Sequence, residues 1–215
     1  MSGRFITIEG GEGVGKSTQA RRIAERLRAS GATVLEVHEP GGTSVGDRVR
    51  AIVLDHPSVR ISPRAELLLY EAARAELTAT VIVPALERGE TVVCDRFFDS
   101  STAYQGYGRG LGADVVAELN LIATGGLRPD LTVLLALDTE EALRRATRSG
   151  ADRIEAESLS FHRAVIEGFA AIAAGEPGRF VTVDASGGVD EVAERVWEAV
   201  SSHPAGEGAA GGSRS

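Results

Sequence analysis

The apolar positions of this 215-residue chain follow two rhythms that alternate along its length. Short runs rich in β-branched residues at 4–9, 33–37, 91–94, 131–137 and 180–183 predict five strands. Longer segments repeat apolar residues every three or four positions and predict helices over 16–30, 45–54, 63–88, 113–124, 140–147, 158–174 and 189–200. In the first helix Ile23 and Leu27 lie four apart with Ala20 and Ala24 on the same face, and Gly31 follows as a C-terminal stop. Thr139 is placed to cap the 140–147 helix. Strands alternating with helices imply parallel pairing through crossovers, so the expected fold is α/β, a doubly wound five-stranded parallel sheet sandwiched by helices. Residues 1–200 read as one domain, and the small, polar, Gly-rich stretch 201–215 as a disordered tail.

Composition changes this picture mainly by exclusion. Hydrophobic residues make up 43% and charged residues 25%, enough for an ordinary soluble core. The net charge of −8, with no basic stretch, argues against a nucleic-acid partner, which needs clustered cations to displace counterions. Cys94 is the only cysteine, so no intrachain disulfide forms, and no apolar run approaches a membrane span. A cytoplasmic location is the expectation. One imbalance is informative: of 23 basic residues, the only lysine is Lys16.

That lysine sits in Gly10-Gly11-Glu12-Gly13-Val14-Gly15-Lys16-Ser17, which fits G-x-x-x-x-G-K-[ST], with Thr18 following. Glycines let successive backbone N–H groups point inward at phosphates, and the next helix adds its positive end. The Lys16 ammonium is slim enough to reach phosphate oxygens where a planar guanidinium fits badly, and the Ser17 hydroxyl can ligate Mg²⁺. The segment therefore predicts ATP-type nucleotide binding. A guanine-reading N-K-x-D motif needs a second lysine and is excluded.

A small phosphotransferase also needs an acceptor site. The 91–94 strand delivers Asp95 at the edge where α/β sheets bind ligands, suited to Mg²⁺ or its waters, with Arg96 beside it. Arg50, Arg74 and Arg96 occur singly where an acceptor phosphate can lie. Arg144, Arg145, Arg148 and Arg153 bracket Ser149-Gly150, which reads as the hinge of an arginine-bearing lid over about 144–156. Arg145 is expected to be solvated. A monophosphate is already ionised and needs cations and alignment more than a base, so three arginines favour a phosphate acceptor. Two alternatives remain open: a kinase of the same fold acting on another monophosphate or on a nucleoside, and a nucleotide-binding regulator without transfer.

Together the motifs resemble those of the thymidylate kinases, over residues 5–200. The matching pieces are F-I-T-I-E-G-G-E-G-V-G-K-S-T (5–18), E-P-G-G-T (39–43), L-L-L-Y-E-A-A-R (67–74), D-R-F-F-D-S-S-T-A-Y-Q-G-Y-G-R-G-L-G (95–112), R-P-D-L-T (128–132) and R-S-G-A-D-R-I-E (148–155). The resemblance implies Mg²⁺-dependent phosphorylation of dTMP by ATP, within dTTP biosynthesis, by a homodimer of P-loop kinase fold. It places Glu12 near the acceptor sugar, Arg50 and Arg96 on the acceptor phosphate, and Glu39 and Pro40 at the substrate. Arg74 would meet the thymine carbonyl, Tyr70 stack on the ring, Ser101 and Gln105 line the base pocket, and Tyr104 favour deoxyribose. Some members carry an arginine where Gly13 stands here, so Arg148 and Arg153 of the lid become the candidates for the catalytic arginine. Ala185, in Asp184-Ala185-Ser186, would lie near adenine with Arg144 packed on it. Tyr70 replaces the usual Phe, and His38 receives no role.

Overall fold

The computed structural model describes residues 3–54, 60–146 and 153–203. The chain runs β1 (Phe5–Gly10), α1 (Lys16–Ala29), β2 (Val34–His38), α2 (Ser44–Leu54) and α3 (Pro63–Leu77), then a wide π turn (Thr78–Ile82) into α4 (Val83–Glu87). It continues through β3 (Thr91–Asp95), α5 (Phe98–Ser101) and a second π segment (Thr102–Gly108) to α6 (Ala113–Thr124). The last elements are β4 (Leu131–Ala136), α7 (Thr139–Ala146), α8 (Leu159–Gly175), β5 (Phe180–Asp184) and α9 (Val189–Ser202).

The five strands form one parallel sheet in the order β2-β3-β1-β4-β5. β1 is central and every one of its residues is buried, as expected for a strand covered on both faces. Its side chains alternate between two cores. Ile6 and Ile8 join Ile23, Val133, Leu135 and Val196 under α1 and α9, whereas Phe5 packs with Leu77, Ile82, Val92 and Phe97 on the opposite face. Each such fully buried side chain contributes roughly 1.5–3 kcal/mol, so the sheet is anchored from both sides. In register, Ile8 lies opposite Asp95 and Gly10 opposite Leu135. The strands thus deliver the loop after β1 and the Asp95-Arg96 pair at the end of β3 to the same sheet edge.

The doubly wound parallel sheet agrees with the sequence pattern, but four local features differ from expectation. The long 63–88 helix is broken by the π turn just ahead of Pro84, which has no N–H to continue the ladder. Residues 98–108 are helical although five of the eleven are Ser, Thr or Gly. The 140–147 helix is capped by Asp138, whose carboxylate accepts the Glu140 and Glu141 amides at 3.1 and 3.0 Å, and Thr139 lies inside it. Finally α9 extends to Ser202, two residues into the expected tail; 204–215 lie outside the described residues.

Candidate active site

The five residues between β1 and α1 turn on glycines, with φ of 71° at Gly13 and 92° at Gly15, values that other residues rarely adopt. No side chain caps α1, and its first turn carries no acid. The free amides and positive dipole end therefore remain available to an anion. Lys16 is only 7% exposed and folds back to donate to the Gly11 carbonyl at 2.5 Å. Burial, reinforced by Arg96 and opposed by Glu12, Asp95 and Glu9, pushes its ammonium down to about 8. The loop is closed on one side by α7. A Cβ at Gly13 would lie 1.9 Å from the Ala142 carbonyl oxygen and 2.8 Å from the Ala146 nitrogen. No side chain fits there, an arginine least of all.

Asp95, at the end of β3, accepts a hydrogen bond from the Ser17 hydroxyl through Oδ2, while its buried Oδ1 has no partner among the described residues. Arg96 follows in a left-handed conformation, φ 70°. For a residue with a Cβ that costs on the order of 1–2 kcal/mol, and such strain concentrates at functional positions. The turn aims the guanidinium back across the loop: it donates to Gly10 O at 3.2 Å, Ser100 Oγ at 3.2 Å and Glu12 at 2.6 Å. Tyr104 donates to the same Glu12 oxygen at 2.7 Å. Burial would raise the Glu12 carboxyl, but Arg96, Lys16 and the Tyr104 hydroxyl hold it down at about 2. Glu12 is therefore ionised across the working pH range.

These groups open onto one cavity of about 640 Å³. Of the sequence-predicted residues, Glu12, Gly13, Gly15, Lys16, Ser17 and Thr18 line its loop side. Glu39, Pro40, Arg50, Tyr70, Arg74, Asp95, Arg96, Ser101, Tyr104 and Gln105 line the rest. Arg50 is exposed at the wall and donates to the Pro40 carbonyl at 3.0 Å. Arg74 is the opposite case, 1% exposed. Its Nε donates to Glu39, its Nη1 reaches Glu71, Ser101 and Asn120, and its Nη2 reaches the Phe97 carbonyl and Glu39, so every guanidinium nitrogen has an acceptor. Burial raises the Glu39 carboxyl to about 7 against the pull of Arg74.

Other predicted residues lie elsewhere. Gly10, Gly11 and Val14 form the back of the loop, Val14 being packed into the core. Ala185 is buried, its amide bonded to Ala136 O. Arg144 points outward and pairs with Glu141, whereas Arg145 is half-buried and reaches the Ala185 carbonyl at 3.4 Å. The two arginines thus exchange the places expected of them. Arg153 does not line the cavity; it donates to Val53 O at 2.7 Å and to Glu66 at 2.5 Å. Arg148 and the expected hinge Ser149-Gly150 lie outside the described residues. Sequence reasoning passed over Glu9, whose carboxylate accepts from the Phe97 amide and from Ser100, the latter in contact with Arg96. Burial and the nearby Asp99 push it up to about 8. An acid closing an apolar strand run was the available signal. Glu66 gave none, since an acid early in a helix is ordinary.

The fold and the loop define the class: a P-loop kinase fold whose phosphate loop and Asp95-Arg96 turn open onto one cavity. A thymidylate kinase family model matches residues 8–196. A thymidylate kinase of Deinococcus radiodurans is 54% identical over 200 residues, 93% of this chain and 97% of that one. One from Synechococcus sp. (strain JA-2-3B'a(2-13)) is 53% identical over 196 residues, covering 91% and 93%. The crystal structure of thymidylate kinase from Ehrlichia chaffeensis superposes with a TM-score of 0.78 at 30% identity, over 94% of this chain and 100% of that one. The chain belongs to the thymidylate kinase family and is a kinase, whose reaction is the phosphorylation of dTMP to dTDP by ATP. No helix among the described residues is long and apolar enough to cross a membrane.

Proposed function

We propose that the cavity carries in-line transfer of a phosphoryl group from ATP to dTMP, with the loop Gly10–Ser17 holding the donor and Arg96 and Arg50 aligning the acceptor phosphate. The observation that carries this reading is Glu12: a residue of the phosphate loop is bonded directly to Arg96 and Tyr104, the acceptor-side groups. One carboxylate therefore ties the two halves of the site together beside the acceptor sugar. Lys16 and the α1 amides neutralise donor phosphates, a purely electrostatic task in phosphoryl transfer. Tyr70 stacks on the base, Tyr104 crowds the sugar, and Gln105 meets the base edge. A contact from Arg74 to the thymine carbonyl displaces one of its present acceptors, and the Ser101 hydroxyl is the one free to rotate away.

Ser17 and Asp95 fit Mg²⁺: the buried, unpartnered Oδ1 and the adjacent hydroxyl are oxygen donors of the kind the ion takes alongside substrate phosphates. Bound there, Mg²⁺ would offset charge on the donor phosphates. With Gly13 closed to any side chain and Arg153 anchored to Glu66, the arginine left for the transferring group is Arg148 of the lid segment 144–156, on a domain spanning 1–200. Arg145 rather than Arg144 borders the adenine side near Ala185. Homodimerisation in the cytoplasm completes the reading; the dimer is supported by exposed Leu68 on α3 and Val115, Leu121 and Ile122 on the α6 packed beside it.

A coupled ADP-release assay across acceptors tests this function. Turnover with dTMP is expected to exceed that with dCMP, dGMP or thymidine at least tenfold in kcat/KM, and equal rates would refute the base-pocket assignment. The same assay reads Lys16. Because its ammonium loses its proton near 8 in the free enzyme, kcat/KM for ATP is expected to fall as pH rises above about 8. In the complex the phosphates favour the charged form, so kcat stays flat further up. A kcat/KM profile level to pH 10 counts against this.

A further inference from the structure

Glu66, in the first turn of α3, is completely buried and lies behind the cavity wall. Its Oε1 accepts the Gln105 side-chain amide at 2.9 Å and Arg109 Nε at 3.1 Å. Its Oε2 accepts Arg109 at 3.1 Å and Arg153 at 2.5 Å. Burial alone would raise the carboxyl, but hydrogen bonds from Arg109, Gln105 and Arg153 and the charge of Arg109 hold it below the usual carboxylate range. The group is ionised and can only accept. An amide facing an obligate acceptor has one orientation, NH₂ inward and oxygen away. The Gln105 side-chain oxygen takes no hydrogen bond among the described residues and is not enclosed, and Gln105 lines the cavity. The amide therefore offers the cavity an acceptor.

We propose that Glu66 is a positioning residue that fixes the Gln105 side-chain oxygen toward the substrate base, so that the site favours a pyrimidine with a hydrogen-bond donor at N3. This rests on the reading of Gln105 as a base contact. Thymine and uracil carry N3–H, which the oxygen accepts. Cytosine presents a lone pair at N3, which the same oxygen repels and which only the NH₂ could satisfy. Glu66 keeps that NH₂ for itself. Tyr70, one helical turn beyond Glu66, faces the cavity, so the first two turns of α3 supply both the stacking surface and the lock behind the amide.

The test is the ratio of kcat/KM for dTMP to that for dCMP in Glu66→Gln, with melting temperature measured alongside. A neutral amide at 66 can donate or accept, which frees Gln105 to turn over. The ratio is expected to fall about tenfold or more, the scale of one buried hydrogen-bond mismatch, with the change in KM. Gln105→Met should show a similar fall, and the double variant no additional one, because one residue acts through the other. Should Glu66→Gln alone fail to fold, Glu66→Gln with Arg109→Met and Arg153→Met removes both stranded cations as well and supplies the same readout. A folded protein lacking the Glu66 carboxylate that keeps the wild-type ratio overturns the proposal, as does an unchanged ratio in Gln105→Met. If the wild-type protein itself shows no preference for dTMP over dCMP, the base-pocket reading fails rather than the role of Glu66 within it.

Discussion

Lys16→Met is expected to abolish phosphoryl transfer, with kcat down at least a thousandfold, on the scale of losing one pre-placed group that stabilises transition-state charge, while making the protein more stable. Both effects come from the same burial. The ammonium sits at 7% exposure beside Arg96, and its pKa is pushed down to about 8 from an ordinary 10.5. A lysine whose folded pKa is depressed binds its proton less tightly in the native state than in the unfolded one, so below about pH 8 it works against folding. Stability then rises with pH between about 8 and 10.5, as the unfolded chain alone retains the proton. The shift corresponds to a cost on the order of 3 kcal/mol at neutral pH, which methionine, of similar length and uncharged, removes. Thermal unfolding of the variant at pH 7 should therefore lie several degrees above wild type, and the difference should shrink toward pH 10. A variant that loses activity and also melts lower at pH 7 would show that Lys16 holds the loop together structurally, contrary to this account.

The parts of the site that were legible in the sequence share a property: each is written in a contiguous stretch. Residues 10–17 carry the loop, its lysine and the Ser17 hydroxyl together, and the strand before Asp95 announces its own end. Parallel strands announce themselves by unbroken apolar runs, which is why the sheet matched expectation closely. What remained hidden depends on contacts between distant segments. Glu66 meets Gln105, Arg109 and Arg153 across separations of 39, 43 and 87 residues, and nothing local distinguishes it from any acid near a helix start. Arg144 and Arg145 were exchanged because neighbours on a helix point about 100° apart, and only the packed fold says which of them turns toward β5. Residues 98–108 hid for another reason. Their Ser, Thr and Gly content opposes a helix, and tertiary packing against α6 and α8 overrides that propensity.

Gly13→Ala tests whether the loop and α7 are as tightly joined as the geometry says. Two independent penalties meet at this position. The backbone is left-handed, φ 71°, which a Cβ disfavours by roughly 1–2 kcal/mol. The Cβ would also stand 1.9 Å from the Ala142 carbonyl oxygen, a contact that no rotamer relieves because both atoms are fixed to backbone. Ala142 cannot retreat easily, since its own side chain is buried in the core under α1 and α9. Either the loop leaves its conformation or α7 is displaced, and both moves open the loop side of the cavity, where we propose the donor binds. The expected result is a fall of at least a hundredfold in kcat/KM for ATP, with stability lower by about 2–4 kcal/mol once overpacking is added to the backbone strain. Gly15→Ala provides the internal comparison: it too has positive φ, 92°, but a Cβ there meets nothing within 4 Å. It should lose stability by the backbone term alone. If Gly13→Ala proves no more damaging than Gly15→Ala in both measurements, α7 does not close the loop. The case for seeking the transition-state arginine in the lid segment instead of the loop would then lose its steric basis.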